Sequence, residues 1–360
     1  MTTAERDVYF SFFMFTADLR PDDRTYTTKV IRHIKELQSY GYDGFDLPIA
    51  APFGSLDPKV ELESYVGLQH ALDDAGLGDV PLSTNVAVTR TFNPSSPYRE
   101  QREAAAAYLR SRVDITAALG GSLLAGPIIF PYNVFPVTDS GEPVWSDALQ
   151  AWSQPGYVHA RSVLQELGDY AGERGITLGI EPVDHWETPA PNLVGEVADF
   201  LDHVPSPAVG VCIDSSHVVL GSEGPAAFRA QVERLGAGNR VNSIHISAPD
   251  RGALVDSWIP WDGFLGPVLA HYNGPLLIEV FNAVPAFLKS FRLTRPKFWI
   301  PGEDAPVRTV PDAYTVAAEG LAAVRDELAK RAPRTGRTPS AGHDRPEGKT
   351  QGRGPIGQAI

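Results

Sequence analysis

The chain is poor in sulfur and has no long apolar run. Cys212 is its one cysteine among 360 residues; a single thiol excludes an intramolecular disulfide framework and a zinc site built on cysteine pairs. The longest early apolar run, residues 8–16, is far too short to span a bilayer. It follows Glu5, Arg6 and Asp7 instead of a basic segment, so it reads as a buried strand and not as a signal peptide. A cytoplasmic protein with no membrane contact is expected. Positive charge is also scarce: 31 Lys and Arg face 44 Asp and Glu, a net charge of −13. A surface of that sign repels a phosphate backbone, which removes nucleic acid from the expected partners. The deficit is uneven, because residues 331–360 hold six Arg and Lys against two Asp and Glu, leaving −17 on the first 330.

What is present is ordinary globular material, 43% hydrophobic and 21% charged. Short β-rich apolar runs alternate with longer amphipathic stretches, the mark of repeated βα units around a parallel sheet. Strands are expected at 8–15, 44–47, 82–88, 122–127, 176–181, 209–214, 242–247 and 276–281. Helices are expected near 26–40, 58–76, 97–118, 156–173, 192–203, 224–235, 261–272 and 312–330, with Asp57-Pro58 and Ser96-Pro97 as start signals. Eight units in one ring predict an α/β fold, a (β/α)8 TIM barrel over residues 1–330, with chemistry at the carboxyl ends of its strands. The connections at 129–155 and 282–311 are long for a compact domain and mark active-end loops. Residues 331–360 have almost no apolar content and are expected to form a disordered tail. The G-x-G-x-x-G from Gly352 to Gly357 falls in that tail, contains Pro355, and neither follows a strand nor opens a helix, so it is not a dinucleotide site.

Four potential hard-metal ligands end four successive strands: Glu181 in GIEP, Asp214 in VCID, His245 in SIHIS and Glu279 in LLIEV. Their spacings of 33, 31 and 34 residues are one βα repeat each, so the side chains converge on one rim. Any one of them alone reads as a salt-bridged or capping residue. Four in register read as an O/N site for a divalent ion, Mn²⁺ ahead of Mg²⁺ or Co²⁺. A lone carboxylate at the end of an apolar strand is costly unless it is paired or metal-bound. Glu187, His217 and Arg251 follow closely in sequence; singly, His217 reads as a helix N-terminal residue and Arg251 as a surface ion pair.

The segments IEPVDHWE, CIDSSH, HISAPDRG followed by PWD, and IEVF resemble the metal-site motifs of the sugar isomerase/epimerase superfamily, most closely the ketose 3-epimerases. The resemblance spans roughly residues 8 to 290. It implies metal binding by Glu181, Asp214, His245 and Glu279, acid/base roles for Glu181 and Glu279, and substrate contacts from Glu187, His217, Arg251 and Trp186. Such a site polarises a sugar carbonyl and acidifies the neighbouring C–H, which a rim carboxylate removes. Protonation on the other face then gives an epimer, protonation at the next carbon an isomer, and a leaving group at the β carbon gives elimination. The apurinic-endonuclease branch needs more His ligands. Strands 3 and 4 end without His here, and its D-x-H pair is replaced by Asp256-Ser257-Trp258.

The six tryptophans, Trp145, Trp152, Trp186, Trp258, Trp261 and Trp299, all fall in or beside the loops after strands 4, 5, 7 and 8. They read as loop anchors, as an apolar wall for a large substrate, or as a protein interface. The long segment 281–304 adds a resemblance to the α subunits of C-glycoside deglycosidases. This implies a carbon–carbon lyase that expels an aromatic aglycone from a 3-keto C-glycoside, with a small β subunit as partner and His185 as the candidate proton donor. Keto-sugar epimerisation is the alternative, the substrate in either case is a sugar or glycoside, and an oligomer is expected.

Overall fold

Eight apolar runs, each flanked by turn-forming residues, form strands of three to six residues that are buried over nearly their whole length. The computed structural model describes residues 6–16, 20–52, 55–144, 146–282, 294 and 296–332. Its strands are β1 Val8–Ser11, β2 Gly44–Pro48, β3 Leu82–Asn85, β4 Leu123–Gly126, β5 Thr177–Ile180, β6 Val209–Asp214, β7 Val241–Ile246 and β8 Leu276–Ile278. All neighbours pair in parallel and β1 closes on β8 through Phe10 and Ile278, so the sheet is a closed barrel. Nine helices are described: α1 Arg24–Tyr40, α2 Pro58–Asp74, α3 Arg99–Ala118, α4 Ser146–Gly172, α5 Val194–Leu201, α6 Ser215–Gly221, α7 Pro225–Ala237, α8 Trp261–His271 and α9 Ala313–Arg331. The expected (β/α)8 barrel is present. The tail, from residue 333 on, lies outside the described residues.

The departures from the expected boundaries have local causes. β1 stops at Ser11, whose Oγ accepts the Phe13 N–H and starts a 3-10 turn at Phe12–Met14. Asp57 caps α2 as expected, accepting the Val60 N–H at 3.2 Å with Pro58 in the first turn. α3 begins two residues after Pro97, because Ser96 Oγ accepts the Tyr98 N–H and holds the chain in a turn. α4 runs back through Pro155, where loss of an N–H argues for a break, and takes in part of the 129–155 loop. α6 is absent from the expected helices, but the capping reading of Asp214 and the helix N-terminal reading of His217 both apply to it: the Asp214 carboxylate accepts the N–H groups of Ser216 and His217 and nucleates it.

Two packing features shape the carboxyl rim. Gly126 ends β4 at a φ of +131°, and a Cβ there would lie 2.2 Å from the Val86 carbonyl oxygen. Only glycine takes that conformation readily, and the Gly126 carbonyl then accepts the Glu181 N–H at 3.0 Å. Arg112 of α3 is completely buried. It pairs with Glu61 of α2, donates to the Ala50 carbonyl at 2.8 Å, and lies over the Tyr108 ring. The loop after β2 is thereby tied to the helices behind it.

Candidate metal centre and substrate cavity

Glu181, Asp214, His245 and Glu279 converge at the carboxyl rim. All four are buried, and one ligand atom from each lies within 4.8 Å of the others. Asp214 ends β6 and His245 stands opposite it on β7, while Glu181 and Glu279 each sit one residue past β5 and β8. His245 Nε2 lies 3.3 Å from the Cys212 Sγ. Burial pushes that thiol up to about 12, so it stays protonated. This contact occupies Nε2 and leaves Nδ1 facing Glu181 Oε1 at 3.3 Å, out of line for a hydrogen bond. Both atoms are buried and face each other as an ion pair, and neither completes a hydrogen bond. Such groups are rare unless something outside the chain satisfies them, and three carboxylates with one imidazole nitrogen suit a hard divalent ion. The residues present therefore fit the metal that the spacing predicted.

The charges around the cluster are unequal. Arg251 Nη1 donates to Asp214 Oδ2 at 2.9 Å and lies 3.2 Å from Glu279 Oε2. Burial pushes the Asp214 carboxyl up, but Arg251, aided by His217 and His245, outweighs it and holds Asp214 well below the usual carboxylate range. For Glu279 burial wins, reinforced by Glu181, and its carboxyl rises to about 8. Ser247 Oγ is 2.8 Å from Asp214 Oδ2 and fixes that oxygen. Arg251 itself has a φ of +61°, in the left-handed region that is sparse for non-glycine residues. Its N–H bonds the Ala248 carbonyl and its own carbonyl accepts from Phe281, which over-determines the strained backbone.

Beside the cluster opens a cavity of about 300 Å³. Glu181, Glu187, His217, Arg251 and Glu279 line its polar side. His217 Nδ1 is 3.2 Å from Asp184 Oδ1, and its Nε2 is 2.8 Å from Arg251 Nη2. Tyr132 donates to Glu187 Oε1 at 3.2 Å, and burial raises the Glu187 carboxyl. Most of the other lining residues are apolar, including Phe13, Pro48, Ile49, Ala51, Val88 and Phe281.

Seven of the nine residues singled out in the sequence are thus brought together. His185 and Trp186 are not among the cavity-lining residues; His185 is exposed, with its ring edge-on to Trp186. Nor do the described tryptophans form the apolar wall. Trp152 packs at 5.8 Å on Phe130, Trp261 packs against the core, Trp258 is 89% exposed, and Trp299 bridges to Asp312. Trp145 is outside the described residues. Sequence reasoning missed Asp184, visible only as the fourth residue of EPVD, and Ser247, two after His245. It also missed the wall itself, whose residues carry no polar signal.

The chain belongs to the xylose isomerase-like TIM barrel family, whose sequence model matches residues 34–297. A solved structure from Anabaena variabilis ATCC 29413, provisionally described as a sugar phosphate isomerase/epimerase, is 51% identical. It has a TM-score of 0.86 and covers 90% of this chain and 99% of its own. The L-ribulose 3-epimerase of Methylomonas sp. (strain DH-1) is 29% identical over 176 residues, 49% of this chain; the match spans only about half (55%) of that relative's length. The ketose 3-epimerase of Arthrobacter globiformis is 22% identical over 257 residues, 69% of this chain and 77% of the relative. No helix among the described residues is long and apolar enough to cross a membrane.

Proposed function

We propose that the protein is a divalent-metal-dependent keto-sugar epimerase or isomerase that removes a proton from the carbon next to the sugar carbonyl. The observation that carries this reading is the convergence of Glu181, Asp214, His245 and Glu279 at the rim of a cavity, with Glu181 and His245 atoms that face each other without completing a hydrogen bond. The names of the relatives support the same class. The four residues would hold the ion, Mn²⁺ ahead of Mg²⁺ or Co²⁺, which supplies polarisation of the carbonyl and acidification of the adjacent C–H.

Glu181 and Glu279 both bound the cavity and act as the acid/base pair, one taking the proton and the other returning it. Glu187, held by Tyr132, and His217, held by Asp184, orient the hydroxyls. Arg251 places its guanidinium beside the developing negative charge while it neutralises Asp214. Expulsion of an aromatic aglycone, the lyase outcome, needs a proton donor at the leaving carbon. His185, the candidate for that role, is exposed and outside the cavity lining, which favours epimerisation.

The test is incubation of the Mn²⁺-loaded protein with free ketoses in D₂O, followed by NMR. Deuterium uptake next to the carbonyl is expected, together with a new epimer or isomer, and Glu181→Gln is expected to abolish both. Retained turnover in that variant would refute the mechanism. Free aglycone released from a 3-keto aryl C-glycoside would restore the lyase.

A further inference from the structure

Strands β6 and β7 do not pair in a single register. Val211 pairs with Val241, but the next residue on β6, Cys212, pairs with Ser243, and the ladder then runs through Ile213 with Ile244 to Asp214 with His245. One step on β6 is matched by two on β7, so Asn242 is the extra residue of a β-bulge. Side chains alternate between the faces of a strand, and a shift of one residue exchanges those faces. Continued without the shift, the register that starts at Val211 and Val241 would set Ile244 beside Asp214 and turn the His245 ring away from it. With the shift, His245 shares the face of Asp214, its Nε2 meets the Cys212 Sγ at 3.3 Å, and its Nδ1 comes to 3.3 Å from Glu181 Oε1.

The bulge is pinned by its own side chain. Asn242 Nδ2 donates to the Leu178 carbonyl of β5 at 2.9 Å and to the Ala208 carbonyl, just ahead of β6, at 3.1 Å. Both protons of the amide are thereby used. The amide lies across Gly210 of β6, where a Cβ would stand 2.6 Å from Asn242 Cγ. Glycine inside a strand allows such a close approach. Neither Asn242 nor Gly210 lines the cavity, and neither belongs to the cluster that could hold the ion.

We propose that Asn242 is a positioning residue for the metal centre: seated over Gly210 and bonded to the Leu178 and Ala208 carbonyls, its amide holds the bulge that aims His245 at the ion. This rests on the metal centre proposed above and adds the element that builds it. Asn242 acts through the register of β7 and not through contact with ion or substrate, as bulges beside active sites re-aim a side chain.

The experiment removes the amide and asks whether an imidazole still reaches the ion. Asn242→Leu keeps the branched shape and deletes both donors; Asn242→Ala deletes them without adding bulk and decides the matter if the leucine variant does not fold. Each full-length protein is freed of metal with EDTA, checked for a cooperative melt and titrated calorimetrically with Mn²⁺. At saturating Mn²⁺, electron spin-echo envelope modulation then reads the nitrogen coupling that an imidazole ligand gives. Wild-type protein is expected to show that coupling and His245→Ala to lack it. The Asn242 variants should melt cooperatively, bind Mn²⁺ about ten- to a hundredfold more weakly, and lose most of the nitrogen coupling.

A folded Asn242 variant with wild-type affinity and full coupling overturns the inference and leaves the metal centre standing. Weaker binding with full coupling also overturns it, because the imidazole is then still aimed and the loss is a general loosening of the barrel. Wild-type protein that binds no Mn²⁺, or binds it without nitrogen coupling, overturns the metal centre and this inference together.

Discussion

His245 Nδ1 and Glu181 Oε1 stand 3.3 Å apart in the buried rim of the barrel, and neither has a hydrogen-bond partner. A buried polar atom without a hydrogen bond costs about 1–3 kcal/mol, and a divalent ion held by these residues would offset that cost. Mn²⁺ should therefore raise the melting temperature of EDTA-treated protein, with a stabilisation of about 2.7 kcal/mol at a hundredfold excess over the dissociation constant. Asp214→Asn and His245→Ala should lose most of that gain. Identical melting curves with Mn²⁺ and with EDTA would sink the metal centre.

Glu279 gives the metal-free protein an unusual pH dependence. Burial, with Glu181 beside it, raises the Glu279 carboxyl far above its ordinary range. Between the unfolded value near 4.5 and the raised folded value, the native state holds a proton that the unfolded chain has released. Stability must then fall as pH rises through this window. Urea denaturation in EDTA from pH 5 to pH 8 should show the fall, and Glu279→Gln should flatten it. A metal-free protein that gains stability with rising pH would contradict the assignment.

Arg251 is the counter-charge of the site. Removing it leaves the Asp214 carboxylate, at 2.9 Å, without its buried cation and Glu279, at 3.2 Å, without its donor. Arg251→Met should destabilise the metal-free protein by about 3–5 kcal/mol and abolish turnover. Lysine is a poor substitute because it lacks the fork that reaches both carboxylates and His217. A change below about 1 kcal/mol by urea titration would mean that the guanidinium is solvated and not structural.

Gly126 tests the backbone under the site. Alanine there would place its Cβ 2.2 Å from the Val86 carbonyl oxygen while holding a φ of +131°. A loss of stability of about 2 kcal/mol or more is expected. Because Gly126 also accepts the Glu181 N–H, Mn²⁺ affinity measured by calorimetry should fall as well. Wild-type stability and metal affinity together would show that β4 does not position Glu181.

The architecture and the four-residue rim are legible in the order of residues along the chain. The period of the βα repeat is written into the apolar runs, and a ligand-type residue recurs at the end of four of them, at Glu181, Asp214, His245 and Glu279. Closure of the ring then makes residues that are distant in the chain neighbours in space, which is why spacing sufficed. Other features depended on three-dimensional contacts. Helix α4 persists through Pro155, although local propensity argues against continuing there. The commitment of Arg251 to Asp214, the Asp184 carboxylate on His217, and the absence of His185 and the described tryptophans from the cavity lining each turn on side-chain direction. Ile49, Ala50, Ala51 and Val88 resemble any other core residues in the sequence, and only the tertiary structure could make them a wall, because apolar contact is non-directional and its partner is chosen by the fold.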